Sequence, residues 1–191
     1  IEGRTNSFKM RPEQNAAVTK TAEYFRSYSN EENSGIPHFL WNAKMRFGKT
    51  FAAYQLALEM GWTRLLVLTF KPAVQSAWQE DLSSHVDFEG WQFITRHGTS
   101  YEDADATKPF VCFGSFQDFL GKNSAGGIKP KNEWVHTLNW DCVIFDEYHY
   151  GAWRENAKEL FEAEDTKELH EQEGKGLDFF DEEILPITTK H

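Results

Sequence analysis

Three short, unbroken apolar runs constrain this chain more than any other feature: residues 65–68, 110–113 and 142–145. A strand with one wet face alternates apolar and polar residues. A run that is apolar at every position belongs to a strand covered on both faces, as in a parallel sheet. The cover comes from helices, and helix-forming segments lie between the runs. Over residues 12–28, Val18, Ala22 and Phe25 repeat at i, i+4 and i+7 behind Pro12, a residue suited to a first helical turn. Lys49 to Met60 is rich in Ala and Leu and closes on Gly61, a good C-terminal cap. Residues 72–82 predict another helix, 116–120 a short one and 153–163 a further one. An apolar stretch at 38–41 predicts an additional strand ahead of a glycine-containing loop, and 91–94 forms an apolar patch. Strands alternating with helices build right-handed crossovers. The fold class expected is α/β, with a mostly parallel central sheet and helices on both faces.

The loop between the 38–41 strand and the helix at Lys49 carries the first chemistry. Ala43, Lys44, Met45, Arg46, Phe47, Gly48, Lys49 and Thr50 follow the phosphate-loop pattern G-x-x-x-x-G-K-[ST], with Ala in the first glycine's place. Backbone N–H groups of such a loop and of the following helix N-terminus present partial positive charge to phosphates. Lys49 would add a full charge at the β- and γ-phosphates of ATP, Thr50 would ligate Mg²⁺, and Gly48 would let the backbone come close. Arg46 stands where many such loops carry Gly, which predicts a local distortion or an extra phosphate contact.

About a hundred residues on, the run 142–145 delivers Asp146 and Glu147, followed by Tyr148 and His149. Ligands of open α/β sheets sit outside the carboxyl ends of the strands. Asp146 there would hold Mg²⁺ through its water shell, and Glu147 would orient or deprotonate the attacking water.

A phosphate loop with a later D-E-x-H resembles the DEAD/DEAH-type helicases and translocases of superfamily two, particularly the branch of restriction-enzyme motor subunits. The likeness runs from about Phe8 to the end and implies a first RecA-like P-loop NTPase domain over residues 8–191, behind an N-terminal extension or tag remnant at 1–7. It also implies that His149 couples nucleotide state to nucleic acid. Arg11-Pro12-Glu13-Gln14 resembles the family's adenine-reading R-x-x-Q element, assigning Arg11 and Gln14 to the nucleotide. Thr69-Phe70-Lys71-Pro72 resembles its motif Ia, and Gly114-Ser115-Phe116-Gln117 a later strand-end loop. Phe70, Lys71, Pro72, Ser115, Phe116 and Gln117 are thereby candidates for the nucleic-acid backbone. The family works with two RecA-like domains that close on ATP, the second bearing arginine fingers. The sequence stops near the family's next motif, which implies a first motor domain that hydrolyses ATP poorly alone.

The function expected is ATP-dependent translocation on, or remodelling of, nucleic acid, with DNA and a restriction system favoured by the resemblance. A P-loop ATPase acting on protein partners and a small-molecule kinase are the rival readings. Net charge is −10, yet the acidity is local. Residues 155–183 hold twelve Asp and Glu against three Lys, a net of −9, while residues 1–154 hold 18 acidic and 16 basic side chains, a net of −2. A binding face outside the acidic segment is not excluded. Residues 121–133, rich in Gly, Lys, Asn and Pro, predict a flexible surface loop. Cys112 and Cys142 sit inside apolar runs as small core residues, without the spacing of a metal site. The scattered tryptophans predict core and domain contacts rather than base stacking. Neither a membrane span nor a secretory signal is expected, so the location expected is cytoplasmic.

Overall fold

The structure, a computed structural model, describes residues 3–30, 35–70, 72–120, 132–146 and 187–191. The loop at 121–131, the helix expected at 153–163, the acidic segment 155–183, and Lys71, Glu147 and His149 lie outside the described residues.

The three apolar runs become adjacent strands. β1 (Arg64–Thr69) pairs in parallel with β3 (Phe110–Ser115) on one side and β5 (Cys142–Phe145) on the other. A short edge strand, β2 (Gln92–Ile94), forms from the 91–94 patch and completes the order β2-β3-β1-β5. Alternate residues of each strand serve opposite faces. Leu65, Val67, Val111 and Phe113 pack toward α1 (Pro12–Asn30), α2 (Lys49–Met60) and α3 (Gln75–Ser84). Leu66, Leu68, Phe110 and Cys112 pack toward α4 (Phe116–Leu120) and α5 (Glu133–Thr137). Beside them lies a two-strand parallel ribbon of β4 (Asn139–Trp140) and β6 (Thr188–Thr189). The four aliphatic residues 65–68 are fully buried, each contributing about 1.5–3 kcal/mol of burial free energy. This is why the runs carry no polar residue.

Val18, Ala22 and Phe25 form the buried stripe of α1, as their spacing predicts. α2 ends where Gly61 takes a left-handed φ of 69° and its N–H reaches the carbonyls of Ala57 and Leu58. Both cysteines are buried and free, and burial pushes their thiols well above the ordinary range. Trp78 and Trp140 are core residues. Among the described residues no helix is long and apolar enough to cross a membrane.

Three expectations need correction. Residues 38–41 join no sheet. Phe39 and Trp41 turn toward the core while Leu40 stays 71% exposed, and the Trp41 indole donates to Thr21 Oγ1 at 2.8 Å. The strand-like alternation is satisfied by packing against helices rather than by a ladder. The helix expected at 72–82 is divided into a 3-10 turn at Pro72–Val74 and then α3. Glu133, expected in the loop, opens α5.

Candidate active site

The eight-residue loop turns sharply before α2. Phe47 N–H donates to the Lys44 carbonyl at 3.1 Å, closing a four-residue turn with Met45 and Arg46 at its tip. Arg46, the third residue of the turn, has a φ of 64°, a conformation that glycine adopts without cost. The distortion expected at this non-glycine position is therefore present, and such a backbone costs about 1–2 kcal/mol. Met45 is 94% exposed, so the loop tip projects into solvent.

Arg11 and Gln14, at the start of α1, grip the loop from behind. Arg11 Nη2 donates to the carbonyls of Arg46 and Phe47 at 2.7 and 2.5 Å. Gln14 Nε2 donates to those of Phe47 and Gly48 at 2.9 and 3.2 Å, while its Oε1 accepts from Arg11 N–H. A trans peptide points its carbonyl and its N–H in opposite directions. Fixing the carbonyls of Phe47 and Gly48 toward α1 therefore aims the N–H groups of Gly48 and Lys49 away from it, out of the open side of the loop. Those N–H groups open α2, where intrahelical partners are lacking and partial positive charge collects. The resemblance assigned Arg11 and Gln14 to adenine; the structure brings both to the loop, with their polar atoms on its backbone.

Gly48 is held by two constraints. Its φ is 74°, and a Cβ there would lie 2.5 Å from Gln14 Nε2. Gln14 could move, but only by giving up both loop carbonyls. Gly48→Ala is expected to cost about 1–3 kcal/mol in urea denaturation, from the left-handed backbone and the lost Gln14 bonds together. A loss under about 0.5 kcal/mol would show that the Gln14 grip is unimportant.

Lys49 begins α2 and Asp146 follows β5, yet their side chains meet: Lys49 Nζ donates to Asp146 Oδ1 across 97 positions of sequence. β5 pairs with β1, and Asp146 N–H bonds to the Leu68 carbonyl at 2.9 Å, so the sheet itself sets the acid at its carboxyl edge. The Asp146 side chain is 2% exposed, against 43% for Lys49. Its second oxygen, Oδ2, accepts from the buried Trp78 indole N–H at 3.0 Å. Thr50, also buried, donates from Oγ1 to Asp81 Oδ2 at 2.5 Å. A cation-holding carboxylate, a buried hydroxyl and a helix N-terminus thus converge at one sheet edge, a donor set suited to Mg²⁺ and a polyphosphate.

Residues 7–170 match the family described as "Type III restriction enzyme, res subunit". The chain belongs to that family. The res-subunit match makes it a motor domain of helicase superfamily two, with a RecA-like α/β fold. A curated relative from Mycoplasma pneumoniae, a "putative type II restriction enzyme and methyltransferase" C-terminal part, is 35% identical over 150 residues, covering 74% of this chain and 20% of the relative. The chain thus spans about a fifth of that relative's length. Among solved structures, a Sulfolobus solfataricus SWI2/SNF2 ATPase core in complex with dsDNA superposes with a TM-score of 0.53 at 16% identity, over 84% of this chain and 31% of that one. At that identity the likeness supports the fold alone.

The res-subunit domain also brings the two expected strand-end loops to the edge that carries Asp146. Thr69 and Ser115 are register partners at the ends of β1 and β3. Two side chains there face inward, against expectation. Phe116 is 1% exposed and packs in the second core, with its ring centroid 5.0 Å from that of Phe70. Ser115 is 6% exposed and forms a reciprocal cap with Asp118, each accepting from the other's backbone N–H at 3.2 Å. Both became candidates by their place in the motif; here the Phe116 ring is taken up by apolar packing and the Ser115 hydroxyl by capping. The side chain of Gln117 lies outside the described residues. Pro72 opens the 3-10 turn that leads into α3.

Sequence reasoning missed Trp78 and Asp81. The tryptophan read as an ordinary core residue, and the acid was not singled out. Their spacing of three on the helix following β1 places them on one face, a signal available in the sequence.

Proposed function

We propose that this domain binds MgATP at the loop of residues 43–50 and hydrolyses it to drive movement on, or remodelling of, DNA, in a restriction context. The observation that supports the reading best is the meeting of Lys49 and Asp146 at the carboxyl edge of the sheet. A solvated lysine at a plain strand-to-helix turn would not be expected to face a buried carboxylate nearly a hundred residues away.

In this reading the loop N–H groups and the Lys49 ammonium receive the β- and γ-phosphates, and Lys49 leaves Asp146 to do so. Thr50 Oγ1 would hold the metal, and the freed Asp146 Oδ1 would hold it through its water shell. Magnesium, when bound, supplies charge neutralisation for the transferring phosphoryl group. Glu147, next in the chain, orients or deprotonates the attacking water, and His149 couples the site to nucleic acid. Arg11 and Gln14 keep the loop open toward phosphate, and the remaining lone pair of Gln14 Oε1 suits an adenine amino group. Phe70, Lys71, Pro72 and Gln117 are the candidates for contact with the nucleic-acid backbone. A second RecA-like domain closes the cleft; the chain's 20% share of its curated relative's length is compatible with such a partner elsewhere in a longer polypeptide. Residues 8–191 form the motor domain proper.

ATP turnover by the polypeptide carrying both RecA-like domains, measured with and without duplex DNA, tests the reading. Turnover is expected to rise with DNA and to stay low for this chain alone. A rate indifferent to DNA and RNA would favour an ATPase acting on protein, or a kinase.

A further inference from the structure

One face of α3 carries Trp78 and Asp81, three residues apart, and each reaches a different member of the metal-binding pair. The Trp78 indole N–H donates to Asp146 Oδ2 at 3.0 Å, and Asp81 Oδ2 accepts from Thr50 Oγ1 at 2.5 Å. We propose that this face of α3 is the positioning element of the metal site, with Trp78 fixing the Asp146 carboxylate and Asp81 fixing the Thr50 hydroxyl. The inference rests on the MgATP reading above.

The two contacts complement one another chemically. An indole nitrogen is a donor only. It holds one carboxylate oxygen and carries no full charge that a phosphate could draw away. Lys49, by contrast, is 43% exposed and charged, so it can exchange Asp146 Oδ1 for a phosphate oxygen. The carboxylate would then keep its orientation through Oδ2 while Oδ1 became available to the metal's water shell. A hydroxyl has one proton and two lone pairs. Because the Thr50 proton goes to Asp81, its lone pairs are left for a cation.

α3 is well placed to hold both groups still. Trp78 and Leu82 are buried in the core. Tyr54 of α2 donates its phenol proton to the Trp78 carbonyl at 2.8 Å and meets the indole edge to face, with centroids 5.4 Å apart. Burial, reinforced by the charge of Asp81, raises Tyr54 well above the usual phenol range and keeps that proton in place. The helix that carries the loop and the helix that orients the ligands are thus locked together beside the site.

The test measures the affinity of this chain for a fluorescent ADP analogue, first in EDTA and then against rising Mg²⁺. For Asp81→Ala and Trp78→Phe, the gain in affinity on adding Mg²⁺ is expected to fall about tenfold, while affinity in EDTA stays within about twofold of wild type. Asp81→Asn, which keeps an acceptor oxygen for Thr50, should retain most of the gain. Asp81 is only partly buried, so its variants keep the test open if Trp78→Phe fails to fold. Variants with a wild-type magnesium response would overturn the proposal. So would variants that lose affinity equally in EDTA and in Mg²⁺, since a merely structural α3 predicts that pattern. Wild-type protein whose nucleotide affinity ignores Mg²⁺ would instead remove the MgATP reading itself.

Discussion

Lys49→Ala is expected to weaken MgATP binding by at least about 30-fold and to take ATP turnover with it. Truncating one partner of a hydrogen-bonded charge pair that is buried, as the ammonium would be under bound phosphates, costs about 2–5 kcal/mol. At about 1.4 kcal/mol per decade, that range starts near 30-fold and extends beyond 1000-fold. Lys49 is placed to contribute such an amount. It stands on the first residue of α2, where the helix already presents partial positive charge, and its ammonium already rests on a carboxylate oxygen in the site. Isothermal titration of the variant with MgATP reads the loss. If Lys49 were an ordinary solvated lysine, affinity would stay within about twofold, the scatter of an exposed surface substitution.

Asp146→Ala is expected to lower folding stability by about 1–3 kcal/mol and to abolish the magnesium dependence of nucleotide binding. The stability term comes mainly from Trp78: the residue is 2% exposed, and a buried N–H left without a partner bears its desolvation cost, about 1–3 kcal/mol. The Lys49 half of the pair adds little, because that ammonium is 43% exposed and water replaces much of the lost contact. Asp146→Asn separates the two roles. Its amide oxygen can still accept from the indole, so urea denaturation should lie near wild type while the magnesium response is lost. Equal loss of stability in both variants would contradict the role given to the Trp78 bond.

The sheet was legible because parallel strands buried on both faces leave no room for polar residues. The runs at 65–68, 110–113 and 142–145 therefore announced both their conformation and their neighbourhood. Gly61 marked the end of α2 for an equally local reason, its left-handed backbone. The segment 38–41 misled because Phe39, Leu40 and Trp41 alternate as strand residues do, and alternation records only which side chains face inward. It does not say whether a ladder or a helix surface receives them. The candidate loop was singled out by Gly48, Lys49 and Thr50, whose types suit phosphate chemistry. The grip of Arg11 and Gln14 on the loop carbonyls was not, since their bonds depend on how α1 packs against α2. Trp78 escaped for the converse reason: a tryptophan in an apolar helix face is ordinary core, and only the position of Asp146 at the sheet edge gives its N–H a further task. Phe116 and Ser115 were read as contacts because a motif records residue type and order, while the buried ring and the reciprocal cap are decided by tertiary packing.

The most direct test of the account is a crystal structure of this chain with Mg²⁺ and a non-hydrolysable ATP analogue. Expected are the β- and γ-phosphates against the loop, Lys49 Nζ moved from Asp146 to a phosphate oxygen, and the metal beside Thr50 Oγ1 with its waters on Asp146. A nucleotide bound elsewhere, with Lys49 still on Asp146, would contradict it.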